Sequence, residues 1–193
     1  MAGKQAKIIA EPEVAAVLRY VRARRHGTRN VVMVLLSTKA GLRACEIARL
    51  TWSMVLAADG KVGTTIELQD RIAKKQSGRT IPMHRELRRA LVHLYRQSDR
   101  TGTVIKSERG TGKQMTADAV SNWFGLVYRA VGLAGASSHS GRRTFITKAA
   151  RNVHRTGGSL RDVQQLAGHR NITITQGYIE GDSRAKQRLV SMI

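Results

Sequence analysis

Apolar residues recur at helical spacing along most of the chain, and β-type patterning is confined to one stretch. Val14, Val17, Leu18 and Val21 mark a helix from Glu11 to about Arg25. Pro12, flanked by Glu11 and Glu13, suits its first turn, and Gly27 is expected to end it. The next segment, 29–38, is apolar almost all round from Val31 to Leu36, which predicts a central, buried helix. Gly41 breaks it, and a short helix over 43–50 follows. Between Lys61 and Met83 the pattern changes. Gly63, Gly78 and Pro82 punctuate it, while Thr64, Thr65, Ile66 and Ile72 favour strand. A small antiparallel sheet with a turn around Gln76-Ser77-Gly78 fits.

Helices resume over 84–98, with Leu87, Leu91, Leu94 and Tyr95 on one face, and over 116–131, capped by Thr116. Another is expected over 140–155. Ser159 and Asp162 form a capping-box pattern that opens a short helix to Ala167. Ile172-Thr173-Ile174-Thr175 is β-branched and locally ambiguous. The fold class expected is mostly α with a small antiparallel β-sheet (α+β). No repeat, low-complexity tract or domain linker interrupts residues 1–193, read as one domain with a basic segment over 1–10 and a tail over 179–193.

Charge sharpens the picture. Lys and Arg number 34 against 13 Asp and Glu, a formal net charge of +21 over 193 residues. Such an excess points to a polyanionic partner, and nucleic acid fits best. A membrane surface is the weaker alternative, because the charges are scattered through the whole chain. The single Cys45 excludes an internal disulfide framework and a multi-Cys zinc module. No apolar run approaches the roughly 20 residues that span a bilayer, and the polar N-terminus lacks a secretory signal. A soluble, cytoplasmic protein is expected. Acidic residues are too scarce for two-metal nuclease chemistry, and no cofactor or metal is expected.

Four basic segments carry the candidate chemistry. In Gly41-Leu42-Arg43-Ala44-Cys45-Glu46-Ile47-Ala48-Arg49-Leu50-Thr51-Trp52, the Glu46 carboxylate lies one helical turn from Arg43 and can orient it. The second, 73–82, is a basic hairpin with Lys74, Lys75 and Arg79. The third is His139-Ser140-Gly141-Arg142-Arg143-Thr144-Phe145, whose His139 and Arg142 share a helical face and can reach one phosphate. The fourth is Gly168-His169-Arg170, with Tyr178 nine residues after His169. Each alone is equally well a surface ion pair, a solvated turn, a chance basic cluster or a packing tyrosine.

Together and in this order, the segments resemble the catalytic domain of the tyrosine recombinases, the phage integrase family. Gly-Leu-Arg-x-x-Glu-Ile-x-x-Leu-x-Trp is similar to its first box and His139-x-x-Arg142-x-Thr144-Phe145 to its second. Leu166-Ala167-Gly168-His169 with Thr175-Gln176-Gly177-Tyr178 is similar to its third. The resemblance covers about Glu11 to Tyr178 and implies double-stranded DNA as the partner. It implies that Tyr178 is the nucleophile, that Arg43 and Arg142 hold the scissile phosphate, and that His169 donates a hydrogen bond to it. His139 would assist proton transfer, and Glu46 would stand behind Arg43. Lys74 would be the general acid, with Lys75 the alternative because hairpin lengths vary. Arg79 and Arg143 are further candidate DNA contacts.

The chemistry is coherent on physical grounds. Attack on a phosphodiester concentrates negative charge on the non-bridging oxygens, and two guanidiniums with an imidazole stabilise it without a metal. A phenol is a weak nucleophile at its free pKa near ~10, so it needs a base or a strongly electropositive pocket. The product is a 3′-phosphotyrosyl link that conserves bond energy for rejoining.

Departures from the family pattern are local. Gly141 stands where leucine is usual, Arg143 replaces a common His or Lys, and Gly177 precedes Tyr178. No separate core-binding domain, of roughly 80 to 100 residues, is expected ahead of the first helix. The tail residues Leu189, Val190, Met192 and Ile193 are expected to link protomers into a homo-oligomer on DNA. The rival readings are a type IB topoisomerase-like activity and a non-catalytic DNA-binding regulator on the same fold.

Overall fold

The computed structural model describes residues 6–70, 78–107, 113–178 and 190–191. Helices dominate: α1 (Glu11–Arg22), α2 (Gly27–Lys39), α3 (Ala44–Arg49), α4 (Arg85–Arg96), α5 (Ala117–Ala130), α6 (Ser140–Asn152), α7 (Leu160–Ala167) and α8 (Ile172–Gln176). Strands β1 (Thr65–Leu68) and β2 (Arg79–Pro82) pair antiparallel, with Thr65 opposite Pro82 and Leu68 opposite Arg79. The mostly helical architecture with one small antiparallel sheet is therefore as expected. The turn anticipated around 76–78 lies largely outside the described residues, as do Lys74 and Lys75.

The all-round apolar helix is central, as its pattern predicts. Every residue from Arg29 to Thr38 is buried, and α1, α3, α4 and α6 pack on α2. Most core side chains, from Ile9 to Leu133, form one continuous cluster around it. A second, smaller cluster comprises Ile146, Ala150, Val163 and Ala167, with Phe145, Leu160 and Tyr178 packed on its edge. The third-box segment is thus held to α6 through Ala167 and Tyr178, while Leu166 packs on the main core.

Three boundaries differ from expectation for identifiable reasons. The first helix ends at Arg22, not near Arg25, and Gly27 opens α2 instead of merely closing α1. A Cβ on Gly27 would lie 2.3 Å from the Arg22 carbonyl oxygen, so the reversal needs glycine there. α6 stops at Asn152, and a 3₁₀ turn covers Val153–Thr156. The β-branched Ile172–Thr175 run is helical. The Asn171 side chain caps it by accepting from the Thr173 amide at 2.9 Å, and Thr175 is tied inward by its hydroxyl.

Gly141 is explained by packing. It sits where α6 crosses α2, and a Cβ there would lie 2.3 Å from Ser37 Oγ and 2.9 Å from Ser37 Cβ. The missing side chain lets the two backbones approach, which a leucine would prevent. Gly177 takes right-handed helical angles (φ −62°, ψ −9°) that any residue can adopt. The chain entering α1 is fastened to the same helix: the Ile9 amide donates to Thr144 Oγ1 at 2.8 Å, and Glu11 pairs with Lys148.

Candidate active site

Five segments distant in sequence converge at one end of α6. The start of α3 supplies Arg43 and Glu46, β2 supplies Arg79, and the first turn of α6 supplies Arg142 and Arg143. The α7–α8 turn supplies His169, and the residue after the α8 cap is Tyr178.

Arg142 is 4% exposed and held by three acceptors. Its Nη1 donates to the Gly41 carbonyl at 2.6 Å, and Nη2 donates to the Ala167 carbonyl at 2.6 Å and to His169 Nε2 at 3.0 Å. Gly41 can present that carbonyl because it adopts φ +65°, where a Cβ would meet the Phe145 ring at 2.4 Å. Burial, and then the nearby positive charge of Arg43, lower the Arg142 pKa to about 10. The guanidinium remains charged at neutral pH, and its confinement fixes its direction.

Glu46 is fully buried and organises the other two guanidiniums. Its Oε1 accepts from Arg43 Nη1 at 2.9 Å and Arg79 Nη1 at 3.0 Å. Its Oε2 accepts from the Arg43 backbone amide at 2.8 Å and Arg79 Nη2 at 3.1 Å. Burial pushes the carboxyl pKa upward, but the hydrogen bond and charge of Arg79, with those of Arg43, outweigh it and hold the group below its ordinary value. One carboxylate therefore fixes two arginines and offsets only part of the cluster's positive charge.

His169 is 9% exposed, and its two ring nitrogens have different partners. Nε2 faces Arg142 and Nδ1 lies 3.0 Å from Thr175 Oγ1. Burial, reinforced by the charges of Arg142, Arg43 and Arg79, lowers its pKa to about 4, so the ring is neutral at pH 7. A guanidinium only donates, so Nε2 accepts and the proton sits on Nδ1, directed at Thr175. The His169 ring stacks on Tyr178 at a centroid separation of 5.5 Å and an interplanar angle of 26°. Buried Gln164 steadies the turn by donating Nε2 to the His169 carbonyl at 2.8 Å.

Two candidate DNA contacts occupy other places than expected. The Arg79 side chain turns inward, donating Nε to the Leu166 carbonyl at 2.8 Å and gripping Glu46. Gly168, at φ +61°, leaves it room, since a Cβ there would lie 2.8 Å from Arg79 Nη1. Arg143 is 9% exposed, and its Cζ lies 5.9 Å from the Tyr178 ring centroid. Arg79 lies on β2 and Arg143 on α6, and both elements pack on α7. His139 stands at the N-cap position of α6, without a side-chain capping bond, one turn before Arg142, and is exposed. The sequence reading missed Thr175, whose only local signal is a threonine at position six after the histidine, and Gln164.

A pocket beside this cluster is lined by Gly78, Arg79, Arg161, Gln164, Gly168, His169 and Arg170. Its basic rim suits a phosphate-bearing strand. Among the described residues, no group of His, Cys, Asp and Glu side chains is placed to hold a metal ion, and no helix is long and apolar enough to cross a membrane.

Comparisons with known proteins bear on the family and the fold. A family model described as "Phage integrase family" matches residues 7–184. The chain is similar in structure to the XerA recombinase (20% identity, TM-score 0.73, covering 100% of this chain and 65% of that one). It is likewise similar to the Tn1549 transposon integrase in complex with circular intermediate DNA (19%, TM-score 0.73, 98% and 68%). The lambda integrase dimer bound to a COC′ core site gives 18% identity and a TM-score of 0.69, covering 95% of this chain and 52% of that one. This chain thus spans about two thirds or less of the length of these structures. No curated protein matches the sequence significantly.

Proposed function

The chain belongs to the phage integrase family, the tyrosine recombinases, and from that premise we propose that it cuts and rejoins duplex DNA through a 3′-phosphotyrosyl bond to Tyr178. The observation that carries this reading is the convergence of Arg142, His169 and Tyr178, together with the Arg43–Glu46–Arg79 clamp.

In the proposed reaction Tyr178 Oη bonds to the scissile phosphorus and the bond to the 5′ oxygen breaks. Arg43 and Arg142 take the charge that develops on the non-bridging oxygens. Their donors are already fixed by Glu46, Gly41 and Ala167, so little reorganisation is needed as the reaction proceeds. His169 donates to the same phosphate, and exposed His139 assists removal of the phenol proton. Lys74, with Lys75 as the alternative, gives a proton to the leaving 5′ oxygen. A second 5′-hydroxyl reverses the sequence and completes strand exchange without ATP. Arg143 and the His169 ring hold the Tyr178 ring from α6 and the α7–α8 turn.

We also propose that several protomers assemble on DNA, with the segment containing Leu189, Val190, Met192 and Ile193 linking them. Leu189, Met192 and Ile193 lie outside the described residues, and Val190 is 70% exposed, in keeping with a docking role.

The test is to incubate the purified protein with duplexes spanning the DNA that flanks its own gene and to map SDS-resistant adducts to the base. A 3′-linked adduct at Tyr178, absent in Tyr178→Phe while DNA affinity stays within a few fold, is the expected result. An adduct that persists in the Phe variant overturns the assignment. Relaxation of plasmid lacking any recognition site, by monomeric protein, would favour the topoisomerase reading. No adduct on any duplex would favour a non-catalytic binder.

A further inference from the structure

In the free protein His169 points the wrong nitrogen chemistry at a phosphate. Its Nε2 accepts from Arg142 at 3.0 Å and therefore carries a lone pair there. Phosphate oxygens are acceptors, so a neutral imidazole that stabilises a phosphate through Nε2 must carry its proton on that atom. Nδ1 then becomes a bare acceptor buried beneath α8. Its partner, Thr175 Oγ1, lies at 3.0 Å on a residue with no exposed surface.

The identity of that partner decides what the ring can do. A backbone carbonyl or a carboxylate opposite Nδ1 would only accept and would hold the proton on Nδ1. A hydroxyl both accepts and donates, and its hydrogen turns about the Cβ–Oγ bond. We propose that Thr175 is a positioning residue that lets His169 change which ring nitrogen carries its proton, accepting from Arg142 in the free protein and donating to phosphate when DNA is bound. In the exchange Nε2 takes one proton from water and Nδ1 releases one to water. The ring is neutral before and after, and the Thr175 hydroxyl rotates from acceptor to donor. Arg142 keeps its plane on the Gly41 and Ala167 carbonyls, so the Nη2 hydrogen that faced Nε2 keeps its direction and a phosphate oxygen brought to that place accepts from both Nη2 and Nε2.

This inference rests on the proposed function for its consequence in catalysis, but its central statement concerns the ring alone. ¹⁵N NMR of histidine-labelled protein reports the tautomer directly, with His169 resonances assigned by their loss in His169→Asn. Inorganic phosphate, titrated to saturation, is the probe. Wild type and Thr175→Ser are expected to carry the proton on Nδ1 alone and on Nε2 with phosphate bound. Thr175→Val, similar in shape but without the hydroxyl, leaves Nδ1 unpaired both with and without phosphate, so the cost of one buried unsatisfied group should appear as a lower melting temperature in both states rather than as weaker phosphate binding. On a duplex that wild type cleaves, Thr175→Ser should form adduct at close to the wild-type rate. The same tautomer with and without phosphate in wild type overturns the proposal, as does a Val variant that melts like wild type. Should Thr175→Val fail to fold, the wild-type tautomer measurement and the Ser variant decide alone. A protein that forms no adduct fails the recombinase reading, while the NMR result still stands or falls by itself.

Discussion

Glu46→Gln is the substitution that most directly probes how the site is built. The native carboxylate accepts from Arg43 twice and from Arg79 twice, at 2.8–3.1 Å, and is fully buried. The glutamine amide has the same shape, yet one of its ends carries two hydrogens. Whichever way it is turned, that end meets N–H groups that can only donate. The neutral side chain also leaves Arg43, Arg79 and Arg142 without their buried counter-charge. Removing one partner of a buried ion pair costs about 3–5 kcal/mol. Arg43 keeps 19% side-chain exposure and recovers some solvation, so the lower end, about 3 kcal/mol, is expected. For a domain of this size that corresponds to a melting temperature lower by roughly 6–12 °C.

The assay is thermal unfolding followed by circular dichroism across pH. Because the Glu46 pKa is held below its ordinary value in the folded state, its contribution is present above the unfolded carboxyl pKa and is lost as pH falls through the folded one. The gap between wild type and variant should therefore be full near neutrality and close in strong acid. Sulfate or a DNA duplex should stabilise the variant more than wild type, because an external anion then fills the place of the lost charge. A variant that melts within about 2 °C of wild type at neutral pH, or a gap that does not change with pH, would refute this account of the clamp.

Three further outcomes are expected. Gly141→Ala should lower stability by about 1–3 kcal/mol, the scale of an overpacked core, since its Cβ falls 2.3 Å from Ser37 Oγ; Gly141→Ala with Ser37→Gly should recover part of the loss in the same denaturant titration. The His169 pKa of about 4, below its unfolded value, makes the unfolded chain bind the extra proton first. Stability should therefore fall from about pH 6.5 toward pH 4, by at most about 3 kcal/mol, and His169→Asn should flatten that slope in urea unfolding. On a duplex with a 5′-bridging phosphorothioate, whose sulfur leaves without a proton, Lys74→Ala should cleave near the wild-type rate; rescue of Lys75→Ala instead moves the general acid by one residue.

Periodicity and motif spacing determined much of this protein. The burial of α2 follows from apolar residues on all its sides, and the order of the four basic segments carries the family. Arg43 and Glu46, one helical turn apart, are a local pair that spacing alone brings together. Other features needed the tertiary structure because they depend on what lies across a gap in sequence. Gly141 is an anomaly in the motif until Ser37 is seen against it. Arg79 reads as a surface contact until β2 packs beside the α7 carbonyls and Glu46, 33 residues away in sequence. The β-branched run at Ile172–Thr175 is locally ambiguous, and a side-chain cap with one buried hydroxyl contact makes it a helix. The charge state of His169 was decided in the same way. Sequence supplies the imidazole, but burial among three arginines keeps it neutral, and only the fold brings those arginines to it.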